Sequence, residues 1–90
     1  MTIDRVNVTE NTVYVMNAGV NVTLRQFMVE NSSNSVVLQG NFTADIKIPV
    51  SSEKTITLDA NLQELPPDKY TLVLVSTMGG SFSQYFFTAP

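Results

Sequence analysis

The chain contains no cysteine and no histidine. The first absence removes disulfides, thiol catalysis and cysteine–zinc sites together. The second removes the commonest general base and metal ligand. Charge is scarce: eight acidic and five basic residues make up 14% of the sequence and leave a net charge of −3. Phosphate binding needs several Lys or Arg on one face, so nucleic acid is not an expected partner. No apolar run approaches the roughly 18 residues of a membrane-spanning helix. The start Met1-Thr2-Ile3-Asp4-Arg5 does not have the layout of a signal peptide. The catalytic inventory is equally thin. Neither histidine nor cysteine is there to activate or replace a serine, and Gly-x-Ser-x-Gly does not occur. Met78-Gly79-Gly80-Ser81 lacks the strand–loop–helix order of a phosphate loop. The expectation is a protein that is not an enzyme and carries no cofactor.

In place of charge the chain has 18 Ser and Thr and eight Asn in 90 residues. That length makes one domain, residues 1–90, with room for a single modest core. Its apolar residues recur with a period of two, the signature of half-buried strands. Ile3–Val8 and Thr12–Asn17 are the first two strands. Asn17-Ala18-Gly19 is expected to turn on positive φ, which Asn and Gly tolerate. Val20, Val22 and Leu24 then alternate with polar residues, and the phase shifts near Gln26 before Phe27 and Val29, as a β-bulge would cause. After the polar loop Asn31–Ser35, a brief strand Val36–Leu38 ends at Gly40. Phe42, Ala44, Ile46, Ile48 and Val50 mark another strand, with Pro49 at its end or on an edge. Ile56 and Leu58 point inward from the next. Tyr70–Ser76, a Met78-Gly79-Gly80 hairpin and Ser81–Thr88 close the chain. Seven to eight short strands without helical periodicity predict an all-β fold, a two-sheet antiparallel sandwich, with a small barrel as the runner-up.

Leu62-Gln-Glu-Leu65-Pro66-Pro67-Asp-Lys-Tyr70 organises that sandwich. Two leucines three apart can plug the end of a core, the prolines hold the chain extended, and the tyrosine opens a strand. This Leu-x-x-Leu-Pro-x-x-x-Tyr run resembles the corner before the penultimate strand of fibronectin-III and immunoglobulin-like domains. The resemblance implies an immunoglobulin/fibronectin-III-like sandwich in which the Tyr70 hydroxyl bonds back to the loop backbone.

Two features bear on function. Asn-x-Ser/Thr occurs at Asn7, Asn21, Asn31 and Asn41, where chance placement predicts about two such sites. They are candidate glycosylation sites of an extracytoplasmic domain, set against a β-protein whose solvent faces merely favour Thr and Asn. All four lie in the first half, so glycans there are expected to leave the closing hairpin bare. That hairpin carries apolar residues of both phases: Tyr70, Leu72 and Leu74 against Val73 and Val75, and Phe82 and Phe86 against Tyr85 and Phe87. A sandwich of this size has no third layer, so one phase is left on the outside. Val73, Val75, Phe82, Tyr85, Phe86 and Phe87 are therefore the candidate protein–protein interface. Asp59–Glu64 with Asp68 has the oxygen ligands of a calcium loop but no glycine for the wrap, and reads as a solvated turn.

Residues 13–24, Val-Tyr-Val-Met-Asn-Ala-Gly-Val-Asn-Val-Thr-Leu, and 69–83, Lys-Tyr-Thr-Leu-Val-Leu-Val-Ser-Thr-Met-Gly-Gly-Ser-Phe-Ser, resemble a strand pair and the closing hairpin of archaeal type IV pilin-like proteins. That resemblance implies the soluble β-sandwich of a longer chain with an N-terminal hydrophobic helix, its only link to a membrane. It also implies a place at the cell surface and partners that are copies of itself, surface-layer proteins or other appendage proteins. Within the group, the archaellum stator proteins (the F and G components) are compact and anchor by protein contact; pilins and archaellins are filament subunits. The first expectation is a stator or anchoring role, the second a filament subunit. The third is an adhesion or carbohydrate-binding module using Tyr14 or Tyr85 as an aromatic platform.

Overall fold

A computed structural model describes residues 1–88. Seven strands follow one another: β1 Thr2–Asn7, β2 Thr12–Asn17, β3 Val22–Glu30, β4 Val36–Ile48, β5 Ser52–Thr57, β6 Lys69–Ser76 and β7 Ser81–Phe87. All neighbouring strands are antiparallel, in a three-stranded sheet of order β1-β2-β5 and a four-stranded sheet of order β4-β3-β6-β7. The fourth strand lies beside the third, not beside the fifth as in constant-type immunoglobulin domains. This is the arrangement of fibronectin-III-like sandwiches.

The core lies between the sheets and follows the period-two pattern. Val13 and Val15 from β2, Leu24, Phe27 and Val29 from β3, Ile56 from β5, and Leu72 and Leu74 from β6 are all buried. Two bulges keep the pattern in phase. Between Ile3 and Arg5 the β1 register slips, so Ile3 is buried and Val6 also packs on the core. Between Leu24 and Gln26 the β3 register slips against both neighbours, at the expected position. Across that step Gln26 pairs with Asn41 and Leu24 with Ile46, so residues 42–45 of β4 arc away from β3. Phe42 reaches back from this arc to the Phe27 ring, 5.7 Å between centroids.

Several expectations need correcting. Val36–Leu38 and the strand after it are one, because Gly40 continues the ladder opposite Phe27. A Cβ on Gly40 would lie 3.0 Å from two Phe27 ring carbons; the glycine serves packing, not termination. Val20 precedes β3 and is exposed, as are Ala44 on the arc and Val50 beyond the strand end. Nor does Asn17-Ala18-Gly19 turn on positive φ; among the described residues positive φ belongs to Asn11, Asn34, Ser51 and Gly79. Asn17 works through its side chain. Buried to 2% exposure, its Nδ2 donates to the carbonyls of Val20 and Ile48, each at 2.8 Å. Its Oδ1 accepts from Gly19 N. The residue ties the end of β2 to the end of β4 in the other sheet.

The Leu62–Tyr70 corner is built as expected. Leu62 is fully buried and begins a single 3₁₀ turn, Leu62–Glu64, capped by Asn61. Tyr70 is buried, stacks on Phe86 at 5.6 Å, and its hydroxyl donates to the Pro66 carbonyl at 2.5 Å. This is the tyrosine corner of the sandwich.

Candidate functional site on the four-stranded sheet

The strand register assigns the outer face of the four-stranded sheet residue by residue. One row runs Val36, Glu30, Thr71, Tyr85; the next Gln39, Met28, Val73, Ser83; the third Asn41, Gln26, Val75, Ser81. Met28, Val73 and Val75 are half-buried at its centre, within a frame of amides and hydroxyls. Tyr85 and Phe87 stand out along β7 at 61% and 70% exposure. No third layer covers this face among the described residues.

Of the six interface candidates, Val73, Val75, Tyr85 and Phe87 therefore lie on the outside. Phe86 does not: it is buried at 5% exposure beneath Tyr70. Phe82, in the same phase, packs on the core from the inner side. The correction follows from alternation, because once Tyr70 faces inward its cross-strand partner Phe86 must do the same. Met28 belongs to the face and was not singled out in sequence. The signal was present, since a residue between the inward-facing Phe27 and Val29 points outward.

The two aromatic platform candidates are already engaged. On the outer face of the three-stranded sheet, the Tyr14 hydroxyl donates to the Glu53 carboxylate, and the Arg5 guanidinium lies 5.1 Å from the ring centroid. The bond to Glu53 holds the Tyr14 proton and raises its pKa, with smaller help from desolvation and the Glu53 and Asp4 charges; Arg5 acts in opposition. The Lys69 ammonium lies 4.1 Å over the Tyr85 ring. One face of each ring is thus taken by a cation. Beside Tyr85, Asn31, Ser32, Asn34, Lys69 and Thr71 line a shallow polar depression of about 220 Å³, smaller than the usual ligand cleft of roughly 300–1,000 Å³.

The asparagines have structural duties that their sequence motif conceals. Asn7 Oδ1 accepts from Glu10 N across the first turn, and Asn21 Oδ1 accepts from Val50 N at 2.8 Å. Asn31 Oδ1 accepts from Ser33 N and Ser35 N, closing its own loop. Among the four candidate glycosylation sites, Asn41 alone sits mid-strand, exposed and holding no turn. It also corrects the expected segregation of glycans from the hairpin. Asn41 pairs with Gln26, which pairs with Val75, so a glycan there would rise from the same face as the apolar strip.

No acidic cluster suited to a metal forms among the described residues. In the Asp59–Glu64 segment, Asn61 spends its side-chain oxygen on Gln63 N. Among the described residues no helix is long and apolar enough to cross a membrane. No protein-family model matches the chain, and a search of curated proteins finds no match.

Proposed function

We propose that this domain is a non-enzymatic contact module that docks to another protein through the outer face of its four-stranded sheet. The observation that carries the reading is the strip of Met28, Val73 and Val75, apolar and half-exposed where alternation calls for polar residues. Its frame of Gln26, Gln39 and Ser83 suits the polar rim of a modest interface. By its resemblance to archaeal type IV pilin-like proteins, the domain is assigned to a cell-surface appendage, first as an anchoring or stator component facing the surface layer. A filament subunit is the alternative under the same resemblance. Cations over Tyr14 and Tyr85 weigh against a carbohydrate platform.

The test is Val73→Lys, a change at a half-exposed position that leaves the core intact. Binding of wild type and variant to isolated surface-layer and appendage fractions is compared, with circular dichroism as the control for folding. The reading expects capture by wild type and at least about a tenfold loss in the variant, the scale of one charge placed in an apolar contact. Equal capture by both would remove this face from the interface.

A further inference from the structure

The edges of the two sheets are not treated alike. β1 and β7 lie against each other across one side of the sandwich, where Gln84 Nε2 donates to the Ile3 carbonyl at 3.1 Å. β5 is short and carries Glu53 and Lys54. The second half of β4 is shielded by the arc at residues 42–45, by Asp45 and Lys47, and by Pro49 beyond its end. Charge, bulges, proline and brevity are the devices that keep sheet edges from pairing. The first half of β4, Val36–Asn41, carries neither charge nor proline, and its irregularities lie towards its ends, near Val37 and beyond Asn41. It is regular against β3 from Leu38 to Asn41, uncharged, and open on its other side among the described residues. No charged residue occurs between Glu30 and Asp45.

The core is also incomplete there. Leu24, Phe27 and Val29 on β3 are buried to 2% exposure or less. The inward residues Leu38, Phe42 and Ile46 on β4 are only partly buried, on the edge strand of a four-stranded sheet that has a three-stranded one for its partner.

We infer that this edge pairs with the same edge of a second copy, antiparallel about a two-fold axis at Gln39, joining two four-stranded sheets into one of eight. The occupant follows from the chemistry of the edge. A two-fold axis sets each axial residue against itself, and a carboxamide, being both donor and acceptor, is complementary to its own copy. In this register Leu38 lies beside Gly40 of the second copy, so inward residues meet inward residues as the pleat requires. Two chains of charge −3 can approach here because the meeting strands bear no charge, whereas a charged foreign strand would find no counter-ion. A contact through one strand edge is small beside the about 800 Å² per partner of stable complexes, so weak association, seen at high chain concentration, is expected.

The edge borders the outer face of the proposed function and shares Gln39 with its rim, so the test reads self-association and includes Val73→Lys, a change at the centre of that face. Sedimentation velocity is run on wild type, Gln39→Lys, Gln39→Glu, an equimolar mixture of those two, and Val73→Lys, up to millimolar chain. Wild type and Val73→Lys are expected to form dimers. Gln39→Lys and Gln39→Glu alone are each expected to weaken association at least about tenfold, since like charges meet on the axis. Their mixture is expected to recover it. A wild type that stays monomeric overturns the inference, as does a dimer indifferent to Gln39→Lys. A mixture that fails to recover association overturns the two-fold register. A dimer lost in Val73→Lys but kept in both Gln39 variants moves self-association to the outer face instead.

Discussion

Pro66 and Tyr70 are joined across the corner by a bond from the Tyr70 hydroxyl to the Pro66 carbonyl, 2.5 Å long. The same carbonyl accepts from Thr88 Oγ1 at 2.7 Å, and Thr88 N donates to the Asp68 carbonyl at 3.1 Å. One acceptor thus ties the corner to the start of β6 and to the end of β7. Tyr70→Phe removes one donor but leaves the other, so the carbonyl is not orphaned. The expected cost is about 1 kcal/mol. Adding Thr88→Ala strips the acceptor of both partners, and the double variant should lose about 1 kcal/mol more than the two single changes together. Urea unfolding of the four proteins checks the cycle. Additive losses would mean that the two hydroxyls act independently.

Gly40 faces the Phe27 ring so closely that an added Cβ has two ring carbons at 3.0 Å. Phe27 is 2% exposed and also meets Phe42, so the ring has little room to yield. Gly40→Ala is expected to destabilise the fold by about 1–3 kcal/mol, the usual cost of overpacking. Phe27→Leu relieves the clash while opening a small void. The pair Gly40→Ala, Phe27→Leu should therefore be more stable than the sum of the single effects predicts. Thermal denaturation of all four chains measures this. A Gly40→Ala protein as stable as wild type would show that the ring shifts freely.

How far the architecture could be read from the chain depends on what each residue reports. Alternation in Thr12–Asn17 and Tyr70–Ser76 reports burial directly, and both strands lie where the pattern puts them, one residue apart at most. The slip at Arg25 was readable because Leu24 and Phe27 are both apolar and three apart. The arc at residues 42–45 was not, because its alternation continues through Ala44 although the segment has left β3. Local periodicity cannot tell a paired strand from an extended excursion. The site was read in the same measure. Val73, Val75, Tyr85 and Phe87 lie outside, yet whether Phe86 or Phe87 faces inward depends on the partner strand, and a strand's own sequence does not carry that.

Asp68 connects the corner to the Asn31–Ser35 loop. Its Oδ1 accepts from Lys69 N at 2.7 Å, and its Oδ2 accepts from Ser32 Oγ at 2.9 Å. These bonds, the Lys69 amide first and the Ser32 hydroxyl second, hold its carboxyl below the usual carboxylate range. A carboxyl depressed in the folded state binds fewer protons there than in the unfolded chain. Its contribution is therefore present above the unfolded value, about 3.9, and is lost as pH falls through the lower folded value. Urea midpoints from pH 7 downward should hold steady near neutrality and drop on acidification below about 4. In Asp68→Asn that drop should be shallower. Parallel profiles for the two proteins would place the acid sensitivity at other carboxylates.

Asparagine is the residue type on which structure and modification compete, and two positions separate the roles. Asn17 is buried and supplies donors to two carbonyls in different parts of the fold. In Asn17→Ala the buried Ile48 carbonyl is left unsatisfied at about 1–3 kcal/mol, while the carbonyl of the exposed Val20 can turn to water. Asn41, exposed on an edge strand with no turn to hold, should accept Asn41→Gln within about 0.5 kcal/mol. Chemical denaturation distinguishes the two readily, since the expected difference exceeds the error of extrapolation. The same contrast predicts where a glycan can be carried. Its attachment atom is the amide nitrogen; the Asn41 carboxamide holds no turn, whereas the oxygen of the Asn31 carboxamide accepts from Ser33 N and Ser35 N and so fixes that group within its loop. Site-resolved mass spectrometry of protein from a glycosylating host should find Asn41 occupied ahead of Asn31. Occupancy in the reverse order would mean that the loop opens before the sugar is transferred, and that the asparagine-held turns are weaker than their hydrogen bonds suggest.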